Sequence, residues 1–140
     1  MLVIDANIAL YWTIETAASP MAKAVLRSGR SLIAPDFIIA EVTNALFMQV
    51  KKGLLDKDRA ADGLDLLPRW FAELCPAALL RNRAFALANE LNHPAYDCFY
   101  LALAQLREAK LVTSDAHFHR KAVTAGYQNS VSLLTEWSEG

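Results

Sequence analysis

Four carboxylates stand where nothing nearby in sequence balances their charge: Asp5, Glu41, Asp97 and Asp115. Asp5 closes the apolar run Leu2-Val3-Ile4, and Asp115 follows Leu111-Val112-Thr113-Ser114. Taken singly, each could simply cap the helix after it, since aspartate is a preferred N-cap. Glu41 resists that explanation. On a helix its neighbours at i−4, i−3, i+1, i+4 and i+7 are Phe37, Ile38, Val42, Ala45 and Met48, so the carboxylate is expected to be partly buried, at a cost unless it is partnered. Asn44, at i+3, shares its side. Asp97 lies in the apolar stretch Ala95–Ala104, in a first helical turn that favours negative charge; a purely local role there is the alternative.

If the four converge, something must offset their repulsion, which for two unit charges at about 4 Å is about 4 kcal/mol at an effective dielectric near 20. The cations that follow most closely after any of the four are Arg120 and Lys121, beyond Asp115. A divalent cation resolves the conflict, and an oxygen-only ligand set suits Mg²⁺ or Mn²⁺. Asp115-Ala116-His117-Phe118-His119 resembles a metal cluster only briefly. His117 and His119 are two apart and face away from each other on a helix, and only His93 remains to complete a zinc set, so both read as ordinary surface or interface histidines.

The elements that would position these groups alternate. Leu2–Ile4, Leu32–Ala34 and Leu111–Thr113 are short uninterrupted apolar runs, as expected of strands buried on both faces. Helices are expected from about Ala6 to Tyr11, Pro20 to Ser28, Pro35-Asp36 to Lys52, Asp56 to before Pro68, Ala77 to Leu91, Ala95 to Ala109, and Asp115 to Ala125. Trp70–Leu74 and Ser130–Leu133 are further strand candidates. Strands alternating with helices imply an α/β fold with a parallel sheet covered on both faces, and no linker or repeat divides residues 1–140. In such sheets ligands bind beyond the carboxyl ends of the strands, where Asp5 and Asp115 stand.

With 54% hydrophobic and 21% charged residues, the chain is expected to fold as one core-forming domain and not as a disordered one. A net charge of −1 does not attract nucleic acid in bulk, so such a partner would need a local basic patch, for which Arg120 and Lys121 are the candidates. Cys75 and Cys98 read as small buried hydrophobes, with one disulfide as the alternative. No leader and no membrane span is legible, which predicts a cytoplasmic protein. Tyr11, Trp12, Phe47, Met48, Trp70 and Phe71 exceed what a small sheet needs, leaving apolar surface for association.

At the four acidic positions the chain resembles the PIN-domain ribonucleases, and within them the VapC-type toxins of toxin–antitoxin pairs. The matching segments are Val3-Ile4-Asp5-Ala6-Asn7, Ile39-Ala40-Glu41-Val42-Thr43-Asn44-Ala45, Tyr96-Asp97-Cys98-Phe99-Tyr100-Leu101-Ala102-Leu103-Ala104 and Leu111-Val112-Thr113-Ser114-Asp115, in the family's order. Each is weak alone; together they span nearly the whole chain. The resemblance implies an α/β/α sandwich with a short, mainly parallel sheet and a Mg²⁺- or Mn²⁺-dependent endoribonuclease site. Asp5, Glu41, Asp97 and Asp115 match its acidic quartet, Asn7 the polar residue after the first aspartate, Thr113 or Ser114 the hydroxyl before the last, and Asn44 the polar residue one turn after the glutamate. Pro94-Ala95 stands where such toxins often carry Ser or Thr. An RNA substrate, a VapB-type antitoxin lying across the groove and a homodimer are also implied.

Two other classes compete. An aspartyl phosphotransferase of the haloacid-dehalogenase kind would want Asp where Asn7 stands, and a non-catalytic interaction module would leave the carboxylates as caps. No GxGxxG follows the first strand and no GxxxxGK[ST] occurs, so a nucleotide-binding enzyme has no support.

Overall fold

The apolar runs pair side by side. In the computed structural model, which describes residues 1–139, β1 (Leu2–Ile4) sits at the centre of a five-stranded sheet. It pairs in parallel with β2 (Leu32–Pro35) on one side, Val3 opposite Ile33, and with β4 (Lys110–Thr113) on the other, Ile4 opposite Val112. The outer strands are β3 (Glu73–Cys75) beside β2 and β5 (Val131–Leu133) beside β4, also parallel, so the order is β3-β2-β1-β4-β5. Successive strand residues face opposite sides, yet Leu2, Val3 and Ile4 are all at most 1% exposed. Both faces are therefore covered, as an α/β/α sandwich requires.

Among the described residues seven α-helices do the covering: α1 (Ala6–Thr13), α2 (Ser19–Leu26), α3 (Ile38–Lys51), α4 (Lys57–Leu66), α5 (Ala77–Leu91), α6 (Ala95–Leu106) and α7 (Ala116–Thr124). α1 packs on α2 and α3, and α3 on α4; α6 packs on α5 and lies against β1, β2 and β4. Its buried side chains run almost without a break from Cys98 through Tyr100 to Ala104, which explains its lack of a polar face. Cys75 and Cys98 are buried free thiols, not a disulfide. Among the described residues no helix is long and apolar enough to cross a membrane.

Three boundaries differ from the sequence reading. Pro35 belongs to β2, and α3 begins at Ile38 without a side-chain cap, because the Asp36 carboxylate instead accepts the backbone N–H of Ala77 at 3.1 Å and opens α5. Trp70 closes a 3₁₀ turn over Leu67–Trp70, with Pro68 near its start, and its ring meets Trp12 edge-on at 5.3 Å; β3 begins only at Glu73. α6 stops at Leu106, short of Ala109, because Glu108 takes a left-handed φ of 51° and turns the chain into β4.

Candidate active site

Asp5 leaves the end of β1 as the N-cap of α1, so its local role as a cap is real: Oδ1 accepts the N–H of Ala6 at 2.7 Å. Its other oxygen, Oδ2, accepts the hydroxyl of Thr113 at 2.6 Å and the amide of Asn7 at 3.3 Å. The residue is 5% exposed. Burial pushes its carboxyl up to about 7; the Thr113 and Ala6 hydrogen bonds oppose the rise, and the charges of Asp97 and Glu41 add to it.

Thr113, at the end of β4, ties two of the acids together. While its hydroxyl donates to Asp5, the same oxygen accepts the backbone N–H of Asp115 at 3.1 Å. Of the two hydroxyls considered before the last aspartate, Thr113 is the buried one touching the site; Ser114 is exposed and gives only its backbone N–H, to Asn7 Oδ1 at 3.3 Å. Asp115 caps α7, accepting the N–H of Phe118 at 3.0 Å.

Glu41 and Asp97 arrive from the first turns of α3 and α6. Glu41 is partly buried and accepts the phenol of Tyr100 at 2.6 Å. Burial raises its carboxyl above the usual range, the Tyr100 hydrogen bond lowers it, and Asp97 raises it further. The Tyr100 phenol is itself pushed up, by burial and then by Asp5, Glu41 and Asp97. Asp97 Oδ2 lies 2.6 Å from Nε2 of His93, and ligand atoms of His93, Asp97 and Asp115 all fall within 4.8 Å of one another.

The four acids thus meet at one sheet edge, with Asp97 in reach of the other three. Four helix N-termini point there too, those of α1, α3, α6 and α7, whose partial positive charge softens the repulsion without supplying a counter-ion. Among the described residues His93 is the only side chain paired with any of the four as a potential cation. The donor set, carboxylate oxygens with one imidazole beside them, fits a hard divalent cation.

Other expected contributors lie at the margin. Asn44 is exposed and makes no side-chain hydrogen bond among the described residues. Arg120 is exposed, while Lys121 is engaged, its Nζ donating to the carbonyl of Asn92 at 2.7 Å. Both line a cleft of about 510 Å³ between α5 and α7, together with Glu90, His117 and Thr124. Sequence reasoning gave no site role to Tyr100, or to His93 beyond that of a leftover zinc candidate, although both touch the acids. For His93 the available signal was its place four residues before Asp97, just ahead of Pro94.

Known proteins share this arrangement of chain. The PIN domain family matches residues 2–123. Ribonuclease VapC3 of Pyrobaculum aerophilum is 32% identical over 123 residues, covering 86% of this chain and 93% of that protein. The crystal structure of PAE2754 from Pyrobaculum aerophilum agrees in fold with a TM-score of 0.70 at 22% identity, over 96% of this chain and 89% of that one. With a match that takes in β1 through nearly all of α7, and so all four acids, the chain belongs to the PIN domain family.

Proposed function

We propose that this chain is an endoribonuclease that hydrolyses RNA phosphodiester bonds as the toxin of a VapB–VapC-type pair, with Mg²⁺ or Mn²⁺ as its cofactor. The observation that carries the reading is the meeting of Asp5, Glu41, Asp97 and Asp115 with no Lys or Arg paired to them among the described residues. Asp5 makes the point most sharply: without a cation beside it, the carboxyl keeps its proton up to about 7.

Asp5 and Asp97, with Glu41, would hold the main ion directly or through water, and Asp115 would hold a second ion or position a water. Bound there, such an ion supplies an activated water and offsets charge on the phosphate and the leaving oxygen. The protein's own groups set the geometry. Thr113 and Asn7 fix the Asp5 carboxylate, and Tyr100 fixes that of Glu41. Arg120 and Lys121, in the cleft next to His117, are the proposed phosphate contacts, with Lys121 having to release the Asn92 carbonyl to take part.

The remaining parts of the reading are a single PIN-like domain over residues 1–140, a homodimer, a VapB-type antitoxin as partner and a cytoplasmic location. The relative named Ribonuclease VapC3 supports the toxin assignment. A haloacid-dehalogenase-like reaction is disfavoured because Asn7 spends its amide on Asp5 and its carbonyl on Ser114, leaving no general acid at that position.

The test is RNA cleavage by purified protein free of antitoxin, on total RNA and folded transfer RNA, with Mg²⁺, Mn²⁺ or EDTA. Cleavage that requires the metal is the expected result. No cleavage, together with no Mn²⁺ binding that depends on the carboxylates, would overturn the reading.

A further inference from the structure

We propose that His93 is a positioning residue: it donates one hydrogen bond to Asp97 and so sets that carboxylate for the cation without ligating the cation itself. The inference rests on the metal-dependent reading above and deepens it.

His93 lies in the short connection between α5 and α6, its side chain 6% exposed. Backbone geometry places it there. Asn92 ends α5 in a left-handed conformation with φ 49°, the N–H of His93 returns to the carbonyl of Ala88 at 3.1 Å, and Pro94 opens α6. The ring packs on Phe118 with centroids 4.8 Å apart. One ring nitrogen, Nε2, is 2.6 Å from Asp97 Oδ2; the other, Nδ1, is buried and has no partner among the described residues.

That asymmetry assigns the tautomer from the hydrogen-bond network. A hydrogen on Nδ1 would be a buried donor without an acceptor, and an unprotonated Nε2 would then set its lone pair against a carboxylate oxygen. A hydrogen on Nε2 removes both conflicts and leaves only a lone pair at Nδ1. In this form Nε2 has no lone pair to offer a metal. A metal-bound histidine also commonly donates its second ring N–H to an acceptor, and Nδ1 has none. The imidazole therefore holds Asp97 Oδ2 in place and leaves Oδ1, which makes no hydrogen bond among the described residues, as the oxygen that would be offered to a cation.

The experiment is Mn²⁺ binding to the full chain, by calorimetry and pulsed EPR, in the wild type, His93→Gln and His93→Phe. Gln can place an N–H where the imidazole has one; Phe keeps the ring's packing on Phe118 but has no donor. His93→Gln should hold Mn²⁺ nearly as the wild type does, and His93→Phe should weaken it about 10- to 100-fold. The wild-type EPR spectrum should show no directly coordinated imidazole nitrogen. His93→Leu replaces the Phe variant should that fail to fold. Unchanged Mn²⁺ affinity in the donor-less variant, with only the melting temperature lowered, would reduce His93 to a packing role and overturn the proposal. A nitrogen coupling, or a Gln variant as weak as Phe, would overturn it by making His93 a ligand. A wild type that binds no Mn²⁺ would overturn the metal-dependent reading itself.

Discussion

At Asp5, burial outweighs the hydrogen bonds the carboxylate accepts, and the consequence is measurable. In the unfolded chain this group loses its proton near 3.8, but in the folded, metal-free protein only at about 7. Between those values the folded state binds more protons, so stability falls as pH rises through the window and levels off above it. The loss is up to roughly 4 kcal/mol. Glu41 shifts in the same direction. Asp97→Asn removes a charge that raises both groups, so in EDTA at neutral pH the variant should melt higher than the wild type and lose less stability across the window. A variant that melts lower would mean that Asp97 serves mainly the first turn of α6. The four acids were legible in the sequence because apolar neighbours or strand ends left each one exposed as an anomaly. The role of His93 was not, because its spacing of four residues before Asp97 becomes a tie only where Asn92 takes the left-handed conformation that ends α5.

Elements were legible where local chemistry decides them. The runs Leu2–Ile4 and Leu111–Thr113 read as strands because both their faces are buried, and Asp56 caps α4 as expected, accepting the N–H groups of Asp58 and Arg59. Boundaries set by distant partners were not legible. Asp36 looked like the start of α3 but caps α5 from across the sheet edge, and Trp70 is held in its turn by Trp12. Gly63, in the middle of α4, is a similar case. A Cβ there would lie 2.9 Å from Cγ2 of Thr13, whose rotamer is fixed by its hydroxyl's bond to the Leu10 carbonyl at 2.8 Å. Gly-to-Ala in an open helix gains about 1 kcal/mol. Here overpacking, about 1–3 kcal/mol, should outweigh that gain, so Gly63→Ala should lower the denaturation midpoint. Adding Thr13→Ser, which removes Cγ2, should restore it; a stabilised single variant would show that the α1–α4 contact gives way freely.

Over the whole molecule, topology explains why the acids meet. The chain leaves β1 outward through β2 and β3, then crosses back to β4 on the other side of β1. That reversal falls at the carboxyl ends of β1 and β4, where ligands bind in open α/β sheets and where Asp5, Thr113 and Asp115 stand, and α3 and α6 bring Glu41 and Asp97 to the same end. A chain of net charge −1 with four acids gathered at this end of the sheet would repel RNA there unless a cation is bound. The most direct test of that account is a calorimetric Mn²⁺ titration of the wild type beside Asp5→Asn, Glu41→Gln, Asp97→Asn and Asp115→Asn. The account predicts Mn²⁺ binding that every substitution weakens, with Asp5→Asn and Asp97→Asn losing about tenfold or more. Titrations of those two variants that superimpose on the wild type would contradict it.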